Sequence, residues 1–275
     1  MSMKLKVLAA AVALAAAGQA AAAIQDGTNG NGELFLSVWD SVGQQSYIRG
    51  LDTLMNDFGT VNAPAAASFT ANVDATPGFT KSWVADSTWS TFVAGKSAAD
   101  IANFKWDVAA LDSVGTSGAH QQRYLTTTNE DLTAWPTTAG VQQNNANISN
   151  MSIVNTALQT ANLTLGASKS GIFTSGNAYY AGLKNEAMSG KASFNTNSNV
   201  GTALEFYYLT RSSSTASAEA LQFKYGSADS KAQFMLGADG NLNYTVAAVP
   251  EAETWAMFAM GLLAVGAVAR RRLSA

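Results

Sequence analysis

Apolar residues recur along this chain at two spacings, and the alternating one dominates. Between Glu33 and Trp39, Leu34, Leu36 and Val38 fall on one face and Phe35 and Trp39 on the other, which predicts a β-strand. Tyr47 to Leu51 predicts a second strand. Leu51, Leu54, Met55 and Phe58 then recur at helical spacing until Gly59, which predicts a short helix. Ser68 to Asp74 alternates again through Phe69, Ala71 and Val73. Asp86 is placed to cap a short helix carrying Trp89, Phe92 and Val93, with Gly95 ending it. Ser97 and Asp100 have capping-box spacing, with Asp where Glu is preferred. Phe104, Trp106, Val108 and Ala110 alternate as a strand, and Arg123 to Thr128 predicts another.

Thr137 to Asn162 is long, polar and rich in Asn and Gln. Ile148, Met151, Val154, Asn155 and Leu158 give a partial helical stripe there. The expectation is a helix, with an irregular excursion between strands as the alternative, because Asn and Ser are poor helix formers. The last third is strand-like over Ala203 to Arg211, Ala220 to Tyr225, Lys231 to Leu236 and Asn241 to Val246, with Ser212 to Ser217 a polar loop. Gly237-Ala238-Asp239-Gly240 predicts a closing hairpin that sets Phe234 and Leu236 opposite Leu242 and Tyr244. Val249-Pro250 ends the ladder, since proline cannot donate to it. The expected fold class is mainly β: a single β-sandwich-like domain over residues 24–248 with a few short helices. No repeat of fixed period and no domain linker interrupt it.

The two ends follow other rules. Residues 1–23 read as a secretory signal peptide, with Lys4 and Lys6 in front and an apolar run from Leu5 to Ala17 broken only by Lys6. Ala20 to Ala23 offers small-x-small cleavage points after Ala20 or after Ala23. At the other end, Val249-Pro250-Glu251 precedes fifteen uncharged residues, Trp255 to Ala269, and then Arg270, Arg271 and Arg272. As a helix those fifteen span about 22 Å, short of the roughly 30 Å hydrocarbon core. Snorkelling arginines extend the reach, and Trp255 suits an interface. Gly261, Gly266 and the alanines suit a membrane helix, and no polar face marks a soluble one. The arginines stay cytoplasmic by the positive-inside rule, which puts the bulk of the chain outside. Residues 249–275 are therefore expected to be a transmembrane C-terminal segment.

That order of parts resembles the PEP-CTERM sorting signal of exported bacterial proteins. The matching residues are Val249-Pro250-Glu251, Thr254-Trp255-Ala256-Met257, Gly261-Leu262-Leu263 and Arg270-Arg271-Arg272. Ala252 stands where the family has its second proline. Gly32 to Asp40 also looks like the mature start of some members. The resemblance implies recognition by an exosortase, a membrane-embedded thiol transpeptidase that cuts near the Pro-Glu motif. It further implies transient residence in the inner membrane, then a place at the cell surface or in an exopolysaccharide matrix.

Charge and composition narrow the mature role. Of 16 basic residues five lie in the terminal segments, and of 19 acidic residues two do, leaving the body near −6. That balance argues against nucleic acid and against binding acidic polysaccharide by charge alone. There is no cysteine, so no disulfide, thiolate metal site or cysteine nucleophile.

Candidate chemistry is sparse. His120 is the only histidine, in a loop-like context without a Gly-x-Ser-x-Gly elbow, which leaves a triad unsupported and excludes a histidine-rich metal site. Asp107 with Asp112, or Glu130 with Asp131, could be nominated as a glycosidase pair, although nothing in their context favours them. Asp239-Gly240-Asn241 is a fragment of a calcium-loop pattern without the other ligands, and a turn accounts for it. Trp39, Trp83, Trp89, Trp106 and Trp135 could stack on sugars, but aromatics at such spacings are mostly core. Asn147, Asn150, Asn162 and Asn243 match the glycosylation sequon, as an Asn-rich chain does by accident. The expectation is an exported, exosortase-sorted surface or matrix protein, a substrate rather than an enzyme, with no cofactor. The alternative is a surface carbohydrate-binding module or weak glycoside hydrolase carried by the same signal.

Overall fold

The computed structural model describes residues 23–58, 76–112, 123–130, 158–159, 161–165, 169–174, 196–211, 220–226, 230–248 and 260–263 of the 275. The expected strand at Ser68 to Asp74, the loop around His120 and residues 1–22 lie outside them, as does most of Thr137 to Asn162.

Among the described residues, eleven strands form one antiparallel sheet. They are β1 (Glu33–Asp40), β2 (Gln45–Leu54), β3 (Thr80–Trp83), β4 (Lys105–Asp112), β5 (Arg123–Thr128) and β6 (Ser170–Phe173), followed by β7 (Ser198–Asn199), β8 (Leu204–Arg211), β9 (Ala220–Lys224), β10 (Ala232–Leu236) and β11 (Leu242–Val246). The main order is β3-β11-β10-β8-β5-β4-β1-β2-β6.

The strands do not part into the two separate sheets of a sandwich. β8 is the reason. Thr128↔Glu205 to Tyr124↔Leu209 pair it with β5. Other partners are divided: β9 takes Tyr207 to Arg211, while β10 takes Leu204 and Glu205. One strand thus feeds two branches, and the sheet curls. Its two ends then meet through side chains. The Trp83 indole N–H donates to the Leu51 carbonyl at 2.7 Å, and Arg49 Nη1 donates to the Val84 carbonyl at 2.6 Å.

The curl sorts each strand by face. Leu34, Leu36 and Val38 point into the inner core, whereas Phe35 faces a second cluster on the outside. Trp106, Val108 and Ala110 go in; Ala109 and Leu111 go out. Leu204, Phe206 and Tyr208 go in; Tyr207 and Leu209 go out. Leu158, Ala161 and Leu165 cover the outer cluster. Both faces of these central strands are therefore buried, with one alternating set of side chains in each cluster. β10 and β11 are one-sided instead: Phe234 and Leu236 sit opposite Tyr244 and Leu242 facing inward, while Met235 is exposed. The hairpin between them turns at Gly240 with φ +81°, where an added Cβ would lie 2.4 Å from the Trp89 ring.

Two short helices form where the caps predict. α1 (Ser87–Phe92) starts with Asp86 accepting from the Trp89 N–H at 2.9 Å. It buries Trp89 and Phe92 against Tyr47. α2 (Ala98–Ala102) carries the full Ser97–Asp100 capping box. The helix expected from Leu51 to Phe58 does not form. β2 runs on to Leu54, which pairs with Glu33 across a register shift, and a turn follows. Leu51, Met55 and Phe58 still enter the core, so a strand end plus a turn mimics helical spacing. Ladder bonds along β1 decide the outcome, because each leaves fewer buried backbone groups unpaired.

Candidate functional site: the junction of body and tail

The body holds its last strand until one residue beyond β11. The Val246 N–H donates to the Phe79 carbonyl, and the Gly78 N–H returns a bond to the Val246 carbonyl, each at 2.9 Å. The Ala247 N–H donates to the Lys231 carbonyl at 2.9 Å, and the Ser230 hydroxyl donates to the Ala247 carbonyl. Ala247 and Ala248 are exposed. Val249 follows at once in sequence. A cut near Pro250-Glu251 therefore removes none of these bonds.

Val249, Pro250, Glu251, Trp255, Arg270, Arg271 and Arg272 lie outside the described residues, as do His120, Asp131 and Trp135. In the tail, residues 260–263 are helical, with Met260, Leu262 and Leu263 at 59, 59 and 73% exposure. No helix among the described residues is long and apolar enough to cross a membrane.

The nominated Asp107–Asp112 pair is not brought together. Five residues apart on β4, the two project to opposite faces and sit roughly 16 Å apart along the strand. A glycosidase pair needs about 5–9.5 Å. Asp107 is fully buried and accepts from the Thr196 hydroxyl at 3.1 Å. Asp112 is locked to Arg123, whose Nη1 also donates to Asn56 at 2.8 Å. Glu130 follows β5 and donates its backbone N–H to the Thr128 hydroxyl. Asp239 accepts from the Asn241 N–H and side-chain amide, which consumes it in the hairpin turn. No group of three or more His, Asp and Glu able to hold a metal occurs among the described residues.

Trp83, Trp89 and Trp106 are core residues; the Trp106 indole donates to the Asn199 carbonyl at 3.0 Å. Trp39 is half-buried. Beneath the curl, Tyr47 donates to Asp86 at 3.1 Å, and burial together with that carboxylate pushes its hydroxyl pKa far up. Burial pushes the Tyr208 hydroxyl up to about 12. Both are structural phenols, protonated at any working pH.

Sequence reasoning passed over two arrangements. Asn162, read as an accidental sequon, accepts from the Ile24 N–H and donates to the Ile24 carbonyl, both at 2.8 Å. Ile24 is buried in the outer cluster, so this amide fastens the start of the body. Among the described residues, five buried or half-buried ion pairs also escaped notice: Arg49–Asp86, Asp40–Lys96, Asp112–Arg123, Glu33–Lys169 and Glu205–Lys224. No spacing rule announces partners this far apart along the chain.

Asp40 makes a testable case. Burial works against its carboxylate, but hydrogen bonds from the Gly43 N–H and the Lys96 ammonium outweigh it and hold the pKa below the ordinary value. A depressed carboxylate contributes stability that is present above its unfolded pKa and lost as pH falls through the folded one. Melting temperature followed from pH 7 downward should therefore drop more steeply below about pH 4 in the wild type than in Asp40→Asn. Parallel curves would show that Asp40 does not carry the effect.

The chain matches no known family, no curated protein and no solved structure.

Proposed function

We propose that this is an exported surface or matrix protein whose C-terminal segment is a sorting signal cut by an exosortase-type transpeptidase. One observation carries the reading: motif, uncharged segment and arginine cluster follow in order within 27 residues, directly after the body's last anchored residue. In this reading residues 1–23 direct export and are removed. Trp255 to Ala269 sits in the inner membrane as a transmembrane helix, with Arg270 to Arg272 on the cytoplasmic side. The enzyme takes the chain near Pro250-Glu251 and passes the mainly β body outward. The body brings no catalytic group to this step; it is the cargo. Its mature role is structural, in biofilm or exopolysaccharide matrix. A surface carbohydrate-binding role is the second reading, supported by the half-buried Trp39.

The processing claim is tested by Pro250→Ala with Glu251→Ala in the native host. The double variant should accumulate as membrane precursor while the wild type leaves that fraction. Equal release of both would remove the motif from the mechanism.

A further inference from the structure

One cluster on the body has the composition of a crosslinking site. Lys169 Nζ lies 2.7 Å from Asp52 Oδ1 and 3.1 Å from Glu33 Oε2. Glu33 is 2% exposed and belongs to β1, Asp52 lies in β2, and Lys169 immediately precedes the edge strand β6. Three distant stretches of chain thus deliver an amine and two carboxyls to one point.

The backbone around them is unusual. Asp52 and Lys169 both have left-handed φ angles, 50° and 53°, which side-chain-bearing residues seldom adopt. Such strain persists where the surroundings over-determine it, and it concentrates at functional sites. Here the Asp52 N–H donates to Glu33 Oε1 at 2.8 Å and the Gly50 N–H donates to the Lys169 carbonyl at 3.0 Å. Gly50 also leaves the space: an added Cβ would lie 2.6 Å from Glu33 Oε1 and 3.2 Å from Lys169 Cδ.

The geometry points to an intramolecular amide bond between Lys169 Nζ and Asp52 Cγ, with Glu33 moving the protons. The ammonium passes a proton to Glu33, and the freed Nζ adds to Cγ. The C–N bond forms as a C–O bond of Asp52 breaks. The departing oxygen leaves as water, taking its protons from Glu33 and the amine. An ammonium and a carboxylate become one neutral amide plus water, with no oxidant or cofactor required. Burial alone would lower the Lys169 pKa, but hydrogen bonds to Asp52 and Glu33 outweigh it, so the amine rests protonated and bonding is slow after folding. Held contact offsets the unfavourable condensation, because effective molarities in fixed pairs reach roughly 10⁵–10⁸ M. The link would pin the four-residue edge strand β6 in a chain that has no cysteine to do so.

The test is intact mass and peptide mapping of the full chain recovered folded from its host. Wild-type protein should be about 18 Da lighter than its termini predict, with the Asp52 and Lys169 peptides joined. Asp52→Ala, at a site whose side chain is 80% exposed, should fold, regain the full mass and melt roughly 10 °C lower. Glu33→Gln should fold with the link absent or greatly slowed. Folded wild type with the peptides separate overturns the crosslink. A Glu33→Gln protein linked as fast as wild type overturns the role given to Glu33.

Discussion

A chain ended at Ala248 is expected to leave the membrane fraction completely while keeping its melting temperature within about 2 °C of the full chain. The two halves of this result have separate causes. In the proposed reading, membrane retention would rest on Trp255 to Ala269 and Arg270 to Arg272, since the body carries a net charge near −6 that disfavours an anionic lipid surface. The hydrogen bonds described for the body all precede the cut. The last are the Ala247 N–H to the Lys231 carbonyl and the Ser230 hydroxyl to the Ala247 carbonyl. Met260, Leu262 and Leu263 are exposed. Fractionation of cells expressing both chains, with thermal melts of the purified proteins, reads both halves. A large fall in melting temperature would mean that the tail is part of the fold rather than an appendage to it.

Phe206→Ala should cost about 4 kcal/mol, the largest single-residue loss in the body, and lower the melting temperature by roughly 12 °C. Phe206 sits at the strand that turns the sheet and is fully buried. Its ring lies 5.2 Å from Phe58, 4.9 Å from Tyr225 and 4.9 Å from Phe234. Truncation removes all three ring contacts and leaves a cavity that a curled sheet cannot collapse. Met235→Ala on the exposed face of neighbouring β10 is the control, with an expected change of under about 0.5 kcal/mol. Denaturant titration of the two variants separates core from surface. Equal losses would show that the inner aromatic cluster is not the fold's centre.

The strands that alternate were legible, and the physics says why. Leu34 to Val38, Phe104 to Ala110 and the Phe234–Tyr244 hairpin each satisfy a period of two that little else imitates. Helix caps at Asp86 and Ser97 were equally readable, since the capping oxygen and its N–H partner are three residues apart. Leu51 to Phe58 misled because a strand end and a turn can place the same side chains inward as a helix does. β3, β6 and β7 escaped notice because four residues or fewer carry too short a pattern, and their pairing is supplied by distant strands. The branching at β8 was hidden for the same reason: one strand shared between β9 and β10 is a property of topology. Glu33, Asp52 and Lys169 show the limit most plainly. Each reads as an ordinary surface charge until the fold brings the three within hydrogen-bond reach. The proposed sorting signal is read from sequence on the opposite ground, since its parts are contiguous and need no fold to align them.

The measurement that bears most directly on the sorting account is the intact mass of the protein from native cells, separated into membrane, surface and medium. A surface or medium species lacking the first 20–23 residues and everything after about Glu251 is the predicted result. A surface species that still carries Arg270 to Arg272, or a membrane species that never loses them, would contradict it. Ala252 in place of the second proline would then be the first residue to restore.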